Sequence, residues 1–320
     1  MPVWWWVTAE RVDGRTSFEN VADLHRALKQ RDERDIKTDG SVSLRSIIRP
    51  HKSDDIIYEL IPNLNVRFQG VLVETNVYGM RDGQFSVEKD AGVLRIALLG
   101  DSFAFGWGVE EKDCFATVLE RELNSRTQGS PQVELFNLGV PGYSTFQQVA
   151  HFEEVGLQFK PDAVLVFVVD NDFGLPFFLR SFGGEGALTA ATSYEAEYNR
   201  APSAERGEHR NNLLHRIDPN RALGKLAELG RFNGFTVYVT VNPNPKARQV
   251  LKNLWVLRER GDIKVLRLRK RLLKEIASRG LTGKDLVLPN DPHPSPVKHR
   301  LLGTLLADDL QRELGRAKLS

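Results

Sequence analysis

The sequence predicts an α/β fold on a parallel sheet covered on both faces, preceded by a β-rich accessory segment. Two observations lead there. From Leu94 onward, apolar runs of strand length alternate with helical segments, the order of successive βαβ units. The clearest run, Ala163 to Val169, is apolar at every position, as a strand buried on both sides is. Residues 1–93 lack this alternation, and the change falls near Gly92.

Taken in order, Ser17 to Arg34 places Phe18, Val21, Leu24 and Leu28 three and four apart, an amphipathic helix that Asp39-Gly40 ends. Ile56 to Pro62 and Val66 to Val73 are rich in β-branched and aromatic residues bounded by Pro and Gly, hence short strands. The sheet strands expected next are Leu94 to Leu99, Val133 to Asn137, Ala163 to Val169 and Phe235 to Val241, with Leu286-Val287-Leu288 as a weaker fifth. Helices are expected at Phe115 to Asn124, Tyr143 to Phe159, Val265 to Arg279 and Val297 to Leu314. Gly183 to Arg210 has no strong period and reads as a long excursion beside the sheet, a lid or specificity element. Two units follow, residues 1–93 as accessory segment and 94–320 as the catalytic body.

Composition narrows the function. The chain has 320 residues, 44 Lys plus Arg against 42 Asp plus Glu, and one cysteine. Near-neutral charge without a concentrated basic stripe argues against nucleic acid as a partner. Cys114 alone forms no internal disulfide, and no Cys/His cluster offers a metal site, so neither metal nor cofactor is assigned. His209, His215 and Asp218 lack ligand spacing. No apolar stretch reaches the roughly 20 residues that span a bilayer. Met1 to Val7 is apolar but has no basic residue before it, so it fails as a signal peptide and the chain reads as cytoplasmic, unless an anchor lay upstream. Trp4, Trp5 and Trp6 form an aromatic cluster expected to pack on the body or at an interface. The basic run Lys264 to Lys274 has interleaved leucines and reads as an amphipathic helix with a solvated cationic face. No sequence feature sets an oligomeric state.

In an open parallel sheet, ligands bind beyond the carboxyl ends of the strands. There the chain places Gly100-Asp101-Ser102-Phe103, Asn137-Leu138-Gly139, Asp170-Asn171-Asp172 and Asp291-Pro292-His293-Pro294. These residues fit acyl transfer role for role. Ser102 supplies a nucleophile, His293 the base that takes its proton and returns it to the leaving alcohol, and Asp291 the carboxylate that orients the imidazole. The Ser102 N–H, the Gly139 N–H and the Asn171 amide are candidate oxyanion donors, and glycine at 139 keeps a Cβ out of the substrate's way. Asp101 is expected to hold the nucleophile turn by accepting backbone N–H bonds.

These four blocks, in this order, resemble the SGNH hydrolases, also called GDSL-like esterases and lipases. The resemblance covers the C-terminal two-thirds of the chain. It implies a flavodoxin-like three-layer α/β/α sandwich and cofactor-free ester hydrolysis, often of acetyl groups on carbohydrates. The substrate expected is therefore a small-molecule or carbohydrate ester. The same residues would serve an O-acyltransferase that admits a hydroxyl acceptor in place of water, and a catalytically silent binding module would keep only the fold. Intact Ser102, Asn171 and His293 favour the enzyme. The chain departs from the family pattern in three places. Val169 stands where a glycine usually precedes the asparagine, the aspartate is two rather than three residues before the histidine, and Lys298-His299 replaces a common Gly-His. His299 is read as a helix residue without a catalytic role. Residues 58–62 and 75–82 resemble the region before the first block in large bacterial members. Arg81 there is either a ligand for a substrate anion or an arginine paired in the core.

Overall fold

The computed structural model describes residues 37–53, 55–169, 172, 219–243 and 254–317. The expected helix at Ser17 to Arg34, the tryptophans at 4–6, Asn171, the excursion at 183–210, and His209, His215 and Asp218 lie outside the described residues.

The body is one parallel sheet of five strands, β5 (Val93–Leu99), β6 (Gln132–Asn137), β7 (Ala163–Val168), β8 (Thr236–Val241) and β9 (Lys264–Leu266). Their spatial order is β6-β5-β7-β8-β9, all neighbours parallel. This is the flavodoxin-like order, in which the chain reverses direction across the sheet beside its first strand. Period-two alternation decides the two faces. Ala97, Leu99, Val164, Val166 and Val168 turn to one apolar cluster, while Ile96, Leu98, Ala163, Leu165 and Phe167 turn to the other. The first face is covered by α3 (Thr145–His151), α4 (Pro219–Asn233) and α5 (Trp255–Glu259), through Val149, Leu223, Leu226 and Leu257. The second is covered by α2 (Phe115–Thr127), α6 (Arg269–Ser278) and α7 (Pro296–Ala317), through Leu119, Leu272, Leu302 and Leu306. The protein is a three-layer α/β/α sandwich with small N-terminal sheets added. No helix among the described residues is long and apolar enough to cross a membrane.

Two expectations need correction. The fifth sheet strand is Lys264–Leu266, paired with β8, and not Leu286 to Leu288. The latter contributes Val287–Leu288 (β10) to an antiparallel hairpin with Asp291–Pro294 (β11), outside the main sheet. The reason is spacing: Leu266, Leu268 and Leu272 mimic a helical stripe, although the first belongs to a strand and only the last to α6. Nor is the cationic face merely solvated. Lys264 pairs with Glu313, and Arg271 reaches Asp308 and Asp309 of α7.

The N-terminal strands form two antiparallel pairs, Ile48–Pro50 (β1) with Tyr58–Leu60 (β2) and Asn65–Phe68 (β3) with Val71–Glu74 (β4). Residues 66–73, read as one run, turn back at Gln69-Gly70, whose φ values of 48° and 80° suit a tight hairpin turn. Tyr58, Phe68 and Val73 pack with Phe105, Trp107, Val140 and Tyr143 of the body, and the Tyr58 hydroxyl donates to the Pro141 carbonyl at 2.9 Å.

At the sheet edge, the outward N–H groups of β6 are taken by side chains. Val133 donates to Asn124 Oδ1 at 2.7 Å, Leu135 to Glu120 Oε1 at 3.4 Å and Asn137 to Asp82 Oδ2 at 3.0 Å.

Candidate active site

β5 runs into Gly100-Asp101 and then into α1 (Ser102–Phe105), a single helical turn. The turn is tight enough that a Cβ on Gly100 would lie 2.6 Å from the Ala104 Cβ. Asp101 caps it, its Oδ1 accepting from the Phe103 N–H at 2.9 Å, so the carboxylate accepts the backbone bond expected of it. Gly106 ends it at φ 82°, a conformation that favours glycine, and donates to the Ser102 carbonyl. A Cβ there would strike the Cys114 sulfur, which is buried and whose thiol burial pushes up to about 12.

Ser102 at the start of α1 meets His293 across 191 residues of chain. Ser102 Oγ lies 2.8 Å from His293 Nε2, and His293 Nδ1 lies 2.6 Å from Asp291 Oδ1. That carboxylate oxygen also accepts the His293 backbone N–H at 2.8 Å. With Nδ1–H donating to Asp291, Nε2 is left as the acceptor for the serine proton. The Ser102 hydroxyl is also 3.2 Å from Asp101 Oδ2, but it has one proton and the contact with His293 is shorter. Burial works against ionisation of Asp291, yet the bonds and charge of His293 and the Trp107 indole N–H outweigh it and hold the carboxyl below its usual value. Asn290, at the position three before His293, is the turn residue of the hairpin at φ 60°. Lys298 sits with its Nζ 5.6 Å from the Phe103 ring centre, and burial lowers its ammonium to about 8. His299, in α7, accepts the Phe115 N–H at Nδ1.

The expected oxyanion donors fare differently. The Ser102 N–H has no acceptor among the described residues. The Gly139 N–H donates to Asn137 Oδ1 at 3.0 Å, and the same side chain donates to the Ala104 carbonyl at 2.7 Å. Glycine at 139 makes room for α1 rather than for substrate: a Cβ would lie 2.5 Å from the Phe105 nitrogen. Asn171 lies outside the described residues. Its neighbour Asp172 is buried, accepting the Val169 N–H at 2.8 Å and the Gln148 amide at 3.1 Å.

Arg81 is placed in the core, the second of the two readings its sequence position allowed. It is 2 % exposed and gives its two terminal nitrogens to the carbonyls of Phe105, Gly106, Leu72 and Val109. The guanidinium thus collects the carbonyls at the end of α1, where cations are favoured. Sequence reasoning did not single out Asn137 as a brace or Trp107 as a neighbour of the histidine. A glycine on each side of Trp107 was the one local signal.

Residues 98–301 match the model of the GDSL-like lipase/acylhydrolase family. Among curated proteins no relative matches. Solved structures similar to the chain include a two-domain esterase (CEX) active on acetylated mannans, at 18% identity and TM-score 0.45 over 69% of this chain and 50% of that one. The match therefore spans half of that esterase's length. Another is the acetyl xylan esterase AlAXEase, at 16% identity and TM-score 0.45 over 68% and 99%. A third is the psychrotrophic esterase EstA from Pseudoalteromonas, at 13% identity and TM-score 0.42 over 69% and 98%.

Proposed function

The chain belongs to the GDSL-like lipase/acylhydrolase family, and on that premise we propose that it hydrolyses esters through an acyl-enzyme on Ser102. The observation that carries this reading is the hydrogen-bonded series Ser102 Oγ, His293 Nε2, His293 Nδ1, Asp291 Oδ1, with steps of 2.8 and 2.6 Å. His293 takes the Ser102 proton as Oγ attacks the acyl carbonyl, then returns it to the leaving alkoxide as the tetrahedral intermediate collapses. Water, activated by the same imidazole, releases the acid. Asp291 holds the tautomer and offsets the charge of the imidazolium. The oxyanion falls to the Ser102 N–H and the Asn171 amide, with the Gly139 N–H joining only when it leaves Asn137 Oδ1.

The substrate class proposed is O-acyl groups, acetyl esters of carbohydrates first. In this reading residues 94–320 are the catalytic body and 1–93 an accessory segment, of which Tyr58, Phe68 and Val73 pack on that body. The test is release of p-nitrophenol from short acyl esters, labelling at Ser102 by a fluorophosphonate, and loss of both in Ser102→Ala. A wild-type protein that shows neither activity nor label would sink the reading. Acetate release from acetylated xylan and mannan then sorts the substrate class, and its absence beside p-nitrophenyl acetate turnover would reject carbohydrate esters.

A further inference from the structure

The reaction as proposed leaves Trp107 without a task, yet this residue touches both members of the Asp–His pair. Its Nε1 donates to Asp291 Oδ2 at 3.0 Å, the carboxylate oxygen that His293 does not use. Its indole lies almost parallel to the imidazole, ring centres 4.8 Å apart and planes at 14°. The ring is buried and has Phe68 of the β3–β4 hairpin edge-on at 4.8 Å.

We propose that Trp107 is a positioning residue for the Asp291–His293 pair, pinning the carboxylate through its N–H and covering the imidazole with its ring face. The inference rests on the hydrolase reading of the site.

Two physical effects follow from the contacts. The terminal torsion of an aspartate is soft, so a carboxylate bonded through one oxygen swings easily. A second bond on Oδ2 fixes its plane, and with it the direction in which His293 Nδ1 is held and Nε2 faces Ser102. The ring contact acts at a different moment. When the Ser102 proton reaches Nε2 the imidazole becomes a cation, and an indole face within about 6 Å attracts a cation. That attraction is present in the charged state and nearly absent before it, the condition for an interaction to assist turnover rather than binding. No bond to Trp107 forms or breaks. Phe68 packs edge-on against it, so the N-terminal hairpin touches the ring that covers the imidazole.

The test separates the N–H from the ring. Replacement of Trp107 by β-(3-benzothienyl)alanine keeps the fused ring and exchanges N–H for sulfur. On p-nitrophenyl acetate its kcat should fall roughly tenfold or more, with KM within about twofold and the melting temperature within a few degrees of wild type, the scale expected when a charge-assisted bond to a supporting group is lost. Trp107→Phe should lose a similar factor, and Trp107→Leu, which also removes the ring face, should fall further. Wild-type kcat in the sulfur variant would overturn the N–H role, and equal kcat in the Phe and Leu variants would overturn the ring role. A wild-type protein without turnover or phosphonate labelling would sink the hydrolase reading and this inference with it. Full wild-type turnover beside indifferent Trp107 variants would remove only the inference.

Discussion

The two arms of the site are built to different standards. The serine arm stands on β5, the strand from which the chain runs both ways across the sheet, and every side chain of α1 is buried. It is braced from three sides, by the Asp101 cap, by the Asn137 amide on the Ala104 carbonyl and by Arg81 on the carbonyls of Phe105 and Gly106. The histidine arm is a short hairpin outside the sheet, with Asp291 and His293 half-buried. Its anchors are local: the Ser295 N–H on the Leu286 carbonyl and the Ser295 hydroxyl on the Asp285 carbonyl at 2.5 Å. The difference teaches where each kind of demand falls. A nucleophile has one place to be, so its arm is part of the core. In the proposed reaction the imidazole accepts and returns a proton, and its arm meets the body through the Ser102 and Trp107 contacts.

On this view substitutions in the two arms should damage different properties. The largest effect belongs to the histidine arm: Asp291→Asn should lower kcat by roughly four orders of magnitude by favouring the wrong imidazole tautomer. Its melting temperature should stay within a few degrees of wild type, and activity near wild type would move the orienting role elsewhere. Next comes Arg81→Met in the serine arm. Four carbonyls, three of them buried, would lose the guanidinium, a destabilisation of about 3 kcal/mol by urea unfolding. A stability loss below about 1 kcal/mol, the usual range of an exposed pair, would mean that α1 does not depend on the guanidinium.

The smallest effect concerns His299, six residues after His293. Burial, with the charges of Lys298, Arg81 and His293 added, holds it neutral and drops its imidazole to about 3 from 6.5. The unfolded chain takes up this proton below 6.5 while the native protein does not. The contribution to stability is therefore complete above 6.5 and is lost as pH falls toward about 3. His299→Gln, measured by urea unfolding at a series of pH values, should flatten the acid-side decline of stability by up to one proton. An identical slope would place that decline in other groups, such as His151, which burial lowers to about 4.

The sheet was legible wherever an apolar run met a punctuating residue, as at Leu94 to Gly100 and Ala163 to Asp170. Ser102, Asp291 and His293 were legible because their blocks are local and ordered along the chain. β9 was not, since Lys264-Val265-Leu266 shares its leucine spacing with the helix that follows. α4 was passed over because it follows a long segment without period. The braces were invisible for another reason. Trp107 meets Asp291 across 184 residues, and Arg81 meets Gly106 across 25, so neither contact leaves a pattern in any short window. Glycine at 139 was read as a point of close approach to substrate; the group its missing Cβ leaves room for is the backbone of α1.

The side chains that close the rim of β6 bear on how this protein behaves in a crowd. An open sheet edge with free N–H groups invites a strand from a neighbouring chain. Here Asn124, Glu120 and Asp82 already occupy the three outward donors with side-chain oxygens. Among the described residues, the other edge of the sheet is β9, three residues long, which gives little purchase to a templating neighbour.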